Sequence, residues 1–536
     1  MTKKRKLLTM VLAALTACSM FAGCGGNETA KSDDMTIRAI FGTEPESMDP
    51  DKATGAPEAT YLGEIFEGLT ALDKDGQPVP AAAESWDISD DGLTYTFHLR
   101  DNKWSNGDPV TAQDFEFAWK RLMSPELASE YAYMLFPIKG GEEYNTKGGS
   151  ADDVGVKAID DKTLEVHLAR PTAYFLMLLA HQSAFPVNRK VVQEHPDDWA
   201  AEADTLVGNG PFKIVSWDHN SKITVEKRDD YWDHDKVKAK KIEMPLIDNM
   251  STAVSMFDNG DVDLVLDPPA ADAERLKGEG KLQLDKNIGT FFFDTNNKLA
   301  PFDNPKVRKA FSLALDRQTL VDQVLHGLAS PATGWIPTGF TNPATKKDFA
   351  EESGKLVNEN VEEAKKLLAE AGYPDGKGMP PITLLYNTNE NNKAICEAAQ
   401  EMWKKNLGVD VELTNQEWKV YLQSRKSGTV QIARARWVGD YLDPMTFADY
   451  LLSNGTNNYG RYANPKYDEF VHQAQNSNDP SVRMQAMHEA EKICIDDMGL
   501  IPVFFYKTSV AMNPKLKGVI DPGNTVFDFK YAYIEK

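Results

Sequence analysis

Apolar residues alternate with polar ones in the first part of the chain. Residues 36–40 predict a strand, and Leu93, Tyr95, Phe97 and Leu99 recur at a spacing of two residues. A period of two is typical of a β-strand with one buried face. We therefore expect a half-buried antiparallel strand over residues 93–99.

A helix with an apolar face is predicted after this strand. Residues 106–108, Asn-Gly-Asp, favour a turn, and Thr111 and Asp114 have the spacing of a helix amino-terminal cap. The apolar side chains that follow fall on one helical face, and they are Phe115, Ala118, Trp119 and Leu122. We interpret these aromatic residues as core and not as a cofactor-binding group.

The second half of the chain alternates between helical and strand patterns. A helix is predicted to begin after Asn360, with Glu363 in its first turn, and to end at Gly372 and Pro374. Further elements are predicted in the order strand, helix, strand, helix, strand, at residues 382–386, 391–406, 409–413, from 418, and 429–434. This alternation predicts an α/β lobe.

A dense set of charged and aromatic residues follows the last predicted strand. Residues 433–444 read Ala-Arg-Ala-Arg-Trp-Val-Gly-Asp-Tyr-Leu-Asp-Pro. Ligands of open α/β sheets bind beyond the carboxyl ends of strands, where residues 434–443 are expected to lie. A carboxylate can pair with an ammonium, a guanidinium with a carboxylate, and an aromatic face can cover the group between them. The segment therefore favours a site for a zwitterion such as a free peptide.

The same segment also has a purely structural interpretation. Asp440, Asp443 and Pro444 can form turns, the arginines can be solvated, and Trp437 can fill a core. Exposed ion pairs contribute only about 0 to 1 kcal/mol to stability. Both interpretations remain open on this segment alone.

Length and charge narrow the class of protein. A chain of 536 residues is roughly three to four times the usual domain length, which predicts two or three cores. The formal net charge is −22, and it becomes −26 once the four basic residues of a removable signal (residues 1–23, without an acidic residue) are taken away. Such an acidic chain argues against nucleic acid as a partner and favours solubility.

The first 34 residues have the pattern of a lipoprotein signal and a linker. Residues 3–6 are basic and residues 7–22 are largely apolar, a run too short to span a bilayer comfortably. Residues 21–24, Phe-Ala-Gly-Cys, resemble the lipobox of bacterial lipoproteins, in which the cysteine receives a diacylglycerol. We expect a signal peptide over 1–23, lipidation of Cys24, and a flexible tether over 24–34. Acyl chains such as palmitate would then anchor the protein stably to a membrane.

Two alternatives to lipidation at Cys24 remain. Cys18 also fits a lipobox but would shorten the apolar run, and an ordinary cleaved signal is favoured by Phe21, where leucine is usual. Beyond the signal only Cys396 and Cys494 occur, too few for a disulfide framework. We expect both to be buried and inert, while a bridge between them remains open.

The sequence contains no pattern typical of catalysis or of metal binding. Residues 488–491, His-Glu-Ala-Glu, lack the second histidine of a zinc helix, and residues 278–281, Gly-Glu-Gly-Lys, lack the spacing of a phosphate loop. No Gly-x-Ser-x-Gly motif is present. We therefore expect no metal, no cofactor and no enzymatic activity. A membrane-anchored hydrolase is the alternative, because catalytic groups also assemble from distant residues.

Several stretches in a fixed order give the chain a family resemblance. They are Ala-Glu-Ser-Trp at 83–86, Asp-Gly-Leu-Thr-Tyr-Thr-Phe-His-Leu-Arg at 91–100, Lys-Trp-Ser-Asn-Gly-Asp-Pro-Val-Thr-Ala-Gln-Asp at 103–114, Gly-Asn-Gly-Pro-Phe-Lys at 208–213, Phe-Asp-Asn-Pro-Lys-Val-Arg-Lys-Ala at 302–310, and residues 418–444. The ordered set resembles the oligopeptide-binding proteins of bacterial peptide ABC importers, within the family 5 extracellular solute-binding proteins. The resemblance covers residues 36–536.

The resemblance implies a two-lobed, periplasmic-binding-protein-like α/β fold that closes on its ligand like a flytrap. Lobe 1 is expected to comprise residues 35–66, 191–290 and 508–536, with an additional domain inserted at 67–190, and lobe 2 residues 291–507. The resemblance also implies a monomer that delivers short peptides to the transmembrane permease of an ABC importer. We expect it to be lipid-anchored on the extracellular face of a bacterial cell membrane, in a Gram-positive organism.

The same resemblance implies the residues that bind the peptide. Asp440 is expected to pair with the amino-terminal ammonium, and Arg425 and Arg434 to meet the carboxyl terminus or an acidic side chain. The positions expected to line the rest of the cleft are Trp437, Trp418, Tyr131 and Asn457.

The chain departs from its enteric-type relatives at three positions of the cleft. Asn392 replaces a histidine that serves a peptide carboxyl terminus, Thr54 replaces a glutamate, and Arg436 replaces a glycine, which is expected to narrow a pocket. Residues 54–56, ending at Ala56, are expected to offer backbone groups that extend the ligand as an added strand. The preferred peptide length is therefore expected to differ. Signalling peptides, dipeptides, metal chelates and oligosaccharides remain open as other solutes of the family.

Overall fold

The structure is a computed structural model that describes residues 35–536. The predicted signal peptide and tether, and lipidation at Cys24 or Cys18, concern residues outside this range. In chain order the strands are β1 (Thr36–Ile40), β2 (Thr70–Leu72), β3 (Pro78–Pro80), β4 (Ala83–Ile88), β5 (Thr94–Leu99), β6 (Val156–Asp160), β7 (Thr163–His167), β8 (Phe212–Asp218), β9 (Lys222–Lys227), β10 (Lys241–Pro245), β11 (Leu264–Leu266), β12 (Leu282–Thr295), β13 (Ala329–Pro331), β14 (Ile382–Asn387), β15 (Val411–Gln416), β16 (Ile432–Val438), β17 (Ile501–Met512), β18 (Leu516–Lys517) and β19 (Tyr533–Ile534).

Helices connect these strands and cover the sheets. The α-helices are α1 (Ala56–Ile65), α2 (Ala112–Leu122), α3 (Gly141–Lys147), α4 (Phe175–Leu178), α5 (Arg189–Glu194), α6 (Met250–Asn259), α7 (Ala273–Gly278), α8 (Pro305–Leu313), α9 (Arg317–Thr319), α10 (Phe349–Ser353), α11 (Val361–Glu370), α12 (Glu390–Leu407), α13 (Trp418–Lys426), α14 (Met445–Ala448), α15 (Pro465–Gln475) and α16 (Pro480–Asp497). The shorter 3₁₀ turns are Ala132–Leu135, Ala151–Asp153, Gln182–Ala184, His234–Lys236, Ala270–Asp272, Pro374–Gly376 and Asp449–Leu451, and Leu320–Val324 forms a π-helical turn. No helix within residues 35–536 is both long enough and apolar enough to cross a membrane.

One large mixed sheet runs through both lobes of the molecule. Its order is β15-β14-β16-β12-β17-β11-β1-β10-β9-β8, and β13 pairs with β17. Residues 282–286 of β12 pair with 507–511 of β17, whereas residues 290–293 pair with 501–505, with a register shift between the two sets. An irregularity of this kind bends the strand and increases its twist. The two long strands thus join the lobes of a two-lobed α/β fold. The predicted lobe boundaries near 290 and 507 lie beside this shift and stay a prediction.

A smaller antiparallel sheet lies within the range predicted for the inserted domain. Its order is β4-β5-β7-β6. Phe97 on β5 and Leu164 on β7 are buried, and α2 packs Phe115 and Trp119 into the same core. The indole N–H of Trp119 donates to the carbonyl oxygen of Ala184 at 2.9 Å, and this bond connects α2 to the 3₁₀ turn at Gln182–Ala184.

An apolar core is built around residues 291–293 of β12. Because successive side chains of a strand point to opposite faces, Phe292 packs on Trp335 while Phe291 packs on Phe504, with ring centroids 4.9 and 4.6 Å apart. Phe293, on the same face as Phe291, contacts Trp403 of α12 at 5.1 Å. Both faces of β12 are therefore covered, one by Trp335 and the other by Trp403, although β12 pairs antiparallel with β16 and β17.

Most elements predicted from periodicity and caps are present. The strand over residues 36–40 forms, and the Thr111 backbone N–H donates to Asp114 Oδ2 at 3.0 Å in the predicted cap of α2. Asn360 Oδ1 accepts from the Glu363 backbone N–H at 3.1 Å. Gly372 takes a positive φ of 95° just beyond α11. The capping chemistry that is visible in the sequence is thus used in the fold.

The predicted end of β16 is wrong. The strand was expected over residues 429–434, but it extends over Ile432–Val438. Its ladder with β12 pairs Thr295 with Ile432 at one end and Gly289 with Val438 at the other, and this antiparallel pairing continues the strand past Arg434. Arg434, Arg436 and Trp437 therefore lie on the strand rather than in a loop beyond it.

The two cysteines beyond the signal are both buried and free. Burial raises the pKa of the Cys396 thiol to about 12 and also raises the pKa of Cys494. These observations confirm the expected burial and show no bridge between the two thiols.

Candidate ligand-binding site

A large cavity lies where β16, α13, the loop before α1 and the 3₁₀ turn at Ala132–Leu135 approach one another. It encloses about 1530 Å³ of space between protein atoms, part of it open to solvent. Of this space, about 250 Å³ is accessible to the centres of water molecules. Nine of the ten predicted binding residues line it, namely Thr54, Ala56, Tyr131, Trp418, Arg425, Arg434, Trp437, Asp440 and Asn457.

Asn392 is the predicted site residue that does not line the cavity. It lies in the first turn of α12 and is buried. Its side-chain amide donates to Asn387 Oδ1 at 3.0 Å, and Asn387, at the end of β14, does line the cavity. Asn392 therefore does not line the cavity itself but positions the side chain of Asn387, which does.

Asp440 places a carboxylate at the wall of the cavity. Tyr131 Oη donates to its Oδ1 at 3.4 Å, and His181 Nε2 lies 3.5 Å from the same oxygen. Its other oxygen, Oδ2, is inaccessible to solvent and has no hydrogen-bond partner within residues 35–536. The side chain as a whole is only 11% exposed. A buried carboxylate oxygen without a donor is unfavourable, so this position favours a ligand that brings a donor or a positive charge.

The surroundings of Asp440 keep neighbouring groups neutral. Burial, together with the Asp440 charge, raises the pKa of Tyr131 well above its ordinary value. Burial and the same charge also raise the pKa of Asp449 well above its ordinary value. Tyr441 Oη donates to Asp449 Oδ2 at 3.2 Å. Both effects favour the neutral forms of the tyrosine and of Asp449.

Thr446 positions Asp440 and Trp437 together. The Thr446 hydroxyl accepts from the Asp440 backbone N–H at 3.1 Å, and its carbonyl accepts from the Trp437 indole N–H at 2.8 Å. Gly439 lies between them, where an added Cβ would come within 3.0 Å of Ile288 and Thr446 side-chain atoms. A larger residue at position 439 would therefore require the side chains of Ile288 and Thr446 to shift.

Aromatic rings cover one side of the cavity. Trp437 contacts Tyr450 with ring centroids 4.7 Å apart, and Trp418 stacks on Tyr421 at 5.8 Å. Trp437 and Tyr450 are buried, while Trp418 is partly buried. Rings of this kind bury apolar parts of a ligand and leave polar tips for hydrogen bonds.

Three arginines line the cavity, and they differ in their partners. Arg425 Nη2 donates to Asp294 Oδ2 at 2.8 Å, and its guanidinium lies 4.9 Å from the Tyr459 ring. Arg436 Nη1 donates to Asp267 Oδ2 at 3.0 Å. For Arg434, which is buried, no ion pair is found among residues 35–536, and its Nε lacks an acceptor. The cavity thus presents a carboxylate in one region and guanidinium groups in another.

Contacts beside the cavity join segments that are distant in the chain. Lys426 lies 2.7 Å from Glu130 Oε1 and 3.2 Å from Glu46 Oε2, and Tyr459 Oη donates to Glu130 Oε2. Thr456 Oγ1 also donates to the Glu130 carbonyl oxygen. These contacts join residues more than 290 positions apart in the chain, and they hold the cavity in a closed form.

Several residues of this site carry no signal in the sequence. His181, Asp267 and Tyr450 each lie in a stretch without a recognisable motif and reach the cavity through the fold. Arg436, in contrast, is predicted from the sequence as a residue of the cleft, and it follows Arg434 at the two-residue spacing of one strand face. No group of three or more potential metal ligands is found within residues 35–536.

Comparison with known proteins identifies the family. The family model described as "Bacterial extracellular solute-binding proteins, family 5 Middle" matches residues 77–459. The oligopeptide-binding protein OppA of Bacillus subtilis is 40% identical over the full length of both chains. The crystal structure of Haemophilus influenzae OppA in complex with RPPGFSPFR superposes with a TM-score of 0.88 at 37% identity, covering 94% of this chain and 99% of the other.

A third relative shows which conformation the chain adopts. The murein tripeptide-binding protein MppA of Escherichia coli is 34% identical and gives a TM-score of 0.88, covering 94% of this chain and 99% of the other. The unliganded open form of MppA gives a TM-score of only 0.64, at 34% identity, covering 94% of this chain and 98% of the other. Since both structures are of MppA, the fall in TM-score shows that the present structure does not have the open arrangement, and we refer to its arrangement as closed. From the family match and the full-length identity, the chain belongs to the family 5 bacterial extracellular solute-binding proteins.

Proposed function

We propose that the protein captures short peptides in the closed cavity and recognises them by their main chain and their terminal charges. The observation that carries this proposal is the buried Asp440 Oδ2 at the wall of the cavity, which lacks a donor among the residues that the structure describes. A peptide ammonium would supply that donor. The relatives named for oligopeptides, and the one crystallised with RPPGFSPFR, support the ligand class.

The remaining site residues have separate roles in this proposal. Arg434 and Arg425 meet a carboxylate of the ligand, while Trp437, Trp418, Tyr131 and Asn457 enclose it. Thr54 and Ala56 present backbone groups along which the ligand extends as an added strand. Asn392 acts by holding Asn387.

The transport role extends the proposal beyond the site. We infer that lobe 1 comprises 35–66, 191–290 and 508–536, that 67–190 is inserted in it, and that lobe 2 comprises 291–507. The closed form would dock on the permease of an ABC importer and release the peptide unchanged. Lipidation of Cys24 would hold the protein, as a monomer, at the outer face of a Gram-positive cell membrane. The lipobox-like residues 21–24 support the anchor, and the Bacillus subtilis relative supports the type of cell.

The test is the loss of the Asp440 charge. Removing one partner of a buried ion pair costs about 3 to 5 kcal/mol, and tenfold in affinity corresponds to about 1.4 kcal/mol. We therefore expect Asp440→Asn to weaken binding of a tetrapeptide at least about tenfold in calorimetry. Amino-terminal acetylation of the peptide should weaken binding by a similar factor, and the two changes together should cost little more than either alone.

Two controls accompany this test. Asp410→Asn replaces an exposed carboxylate that pairs with Lys404 outside the cavity, and its affinity should equal that of the wild type. Chromatography of the peptide after long incubation should recover it intact, as binding without hydrolysis requires. Unchanged affinity for both Asp440→Asn and the acetylated peptide would contradict the assignment of Asp440.

A further inference from the structure

Arg436 and Arg434 form a cationic pair on one face of β16. Residues two apart on a strand point to the same side, and both line the cavity. The Arg436 guanidinium lies 4.2 Å from the Tyr506 ring centroid, and the Arg434 guanidinium lies 5.8 Å from that of Phe291. Stacking on these rings fixes the planes of the two guanidinium groups.

One edge of the Arg436 guanidinium has no acceptor in the described part of the chain. Nη1 donates to Asp267 Oδ2, but Nε and Nη2 are inaccessible to solvent and unpartnered. Nε and Nη2 carry parallel N–H groups on the same edge, which is the geometry that binds both oxygens of a carboxylate. Arg434 Nε is also buried without an acceptor. Three buried donors of these two cavity-lining arginines thus have no acceptor within residues 35–536.

The charges around the two arginines do not cancel. Asp267 pairs with Arg436, whereas no ion pair of Arg434 is found in the part of the chain that the structure describes. Arg425, the third arginine of the cavity, is already paired with Asp294. One positive charge in this region therefore remains to be balanced, which favours an anionic ligand group.

We propose that Arg436, with Arg434 beside it, forms a subsite for the carboxylate of an acidic side chain of the bound peptide. This proposal rests on the proposed function, because it takes Asp440 as the position of the peptide amino terminus. Arg436 precedes Asp440 by four residues, and an extended chain spans about 3.3 Å per residue, or about 13 Å in all. The acidic residue should therefore be among about the first four residues of the peptide.

The experiment compares peptides that differ only in one carboxylate. Pentapeptides of otherwise identical sequence carry Glu or Gln at position 2, 3 or 4, and calorimetry measures their affinities for the wild type, Arg436→Gln and Arg275→Gln. Arg275, on α7, is the control, because it forms only partly exposed ion pairs, with Asp258, Asp272 and Glu279. At one position the wild type should bind the Glu peptide at least about tenfold more tightly than the Gln peptide, a deliberately low floor for a desolvated bidentate pair.

The preference should depend on Arg436. It should fall below about twofold in Arg436→Gln and persist in Arg275→Gln, while the affinity of Arg436→Gln for the Gln peptides changes little. Because the Glu-to-Gln comparison is made on the wild type itself, it does not depend on how well a variant folds. Binding of all the peptides without a Glu preference at any position would overturn the subsite and leave the proposed function intact.

A second arm distinguishes a side-chain carboxylate from the carboxyl terminus of the peptide. The same pentapeptides are made with a carboxyl-terminal amide. The proposal is overturned if amidation weakens binding to the wild type and Arg436→Gln abolishes that effect while leaving the Glu preference unchanged. In that case Arg436 binds the carboxyl terminus of the peptide. If no peptide binds at all, the proposed function itself fails.

Discussion

Glu130, Lys426 and Tyr459 form a latch beside the closed cavity, and its removal should weaken the binding of every ligand. Lys426 contacts Glu130 at 2.7 Å and Glu46 at 3.2 Å, and Tyr459 donates to Glu130. Burial acts to lower the pKa of Lys426, yet Glu130 and Glu46 raise it above its ordinary value. The ammonium is therefore stabilised by its partners in the closed form.

The free energy that Glu130→Gln should cost depends on how far the latch residues are exposed to solvent. The side chains of Lys426 and Glu130 are 25% and 23% exposed. A hydrogen bond to a charged group contributes about 1.5 to 3 kcal/mol, and solvent screening reduces that contribution. Glutamine at position 130 removes the charge and leaves one acceptor oxygen where the carboxylate has two, so it can accept from Lys426 or from Tyr459 but not from both in this geometry. We therefore expect Glu130→Gln to destabilise closure by about 1 to 2 kcal/mol. This free energy corresponds to a decrease of roughly five- to thirtyfold in the equilibrium constant for closure. Where the ligand binds the open form and closure follows, the apparent dissociation constant rises by the same factor.

Calorimetry with two peptides of unrelated sequence tests this reasoning. Both should bind Glu130→Gln more weakly by the same factor, because Glu130 is not among the residues that line the cavity. Added salt should reduce the difference from the wild type. Small-angle scattering at a fixed subsaturating peptide concentration should show a larger radius of gyration for the variant.

The control for the latch variant is Glu126→Gln. Glu126 lies four residues before Glu130, and its exposed carboxylate accepts from the Ser124 hydroxyl, so the loss of its charge should leave affinity unchanged. Unchanged affinity in Glu130→Gln, or a loss confined to one of the two peptides, would refute the role of the latch.

Two further predictions concern stability and thiol chemistry. Burial raises the pKa of Asp521 to about 6 from an ordinary value of 3.8, so its stabilising contribution is complete below pH 3.8 and is lost as the pH rises through about 6. Relative to Asp521→Asn, the melting temperature of the wild type should therefore fall between these pH values, and parallel curves would contradict this assignment. Cys396 and Cys494 are buried and free; a thiol reagent should label neither in the native mature protein, and both should react after unfolding without reductant, whereas a lack of labelling there would indicate a bridge.

Local patterns in the sequence determined much of the secondary structure. The caps at Thr111 and Asn360 and the strand at residues 94–99 depend on side chains within a few positions of one another. Such signals need no tertiary information, because the capping side chain and the backbone groups it satisfies are neighbours in the chain. The end of β16 could not be found this way, since the ladder with β12 extends it.

The core of the binding site was also visible as a local cluster. Arg434, Trp437 and Asp440 lie within seven residues, and the sequence brings them together whatever the rest of the fold does. The sequence left open whether this cluster was a turn or a site. The burial of Asp440 Oδ2 without a partner, which favours a site, depends on the packing of Tyr131 and His181 against it.

Only the tertiary structure decided which distant residues complete the cavity and hold it shut. Asp267 meets Arg436, and Glu130 meets Lys426 and Tyr459, across more than 160 and 290 positions of chain. The amino-acid sequence alone determined the acidic charge, the α/β alternation and the clustered Arg, Trp and Asp residues. The partners of those residues depend on the closed arrangement of two lobes, because contacts between distant segments arise from the fold and leave no spacing in the chain by which to find them.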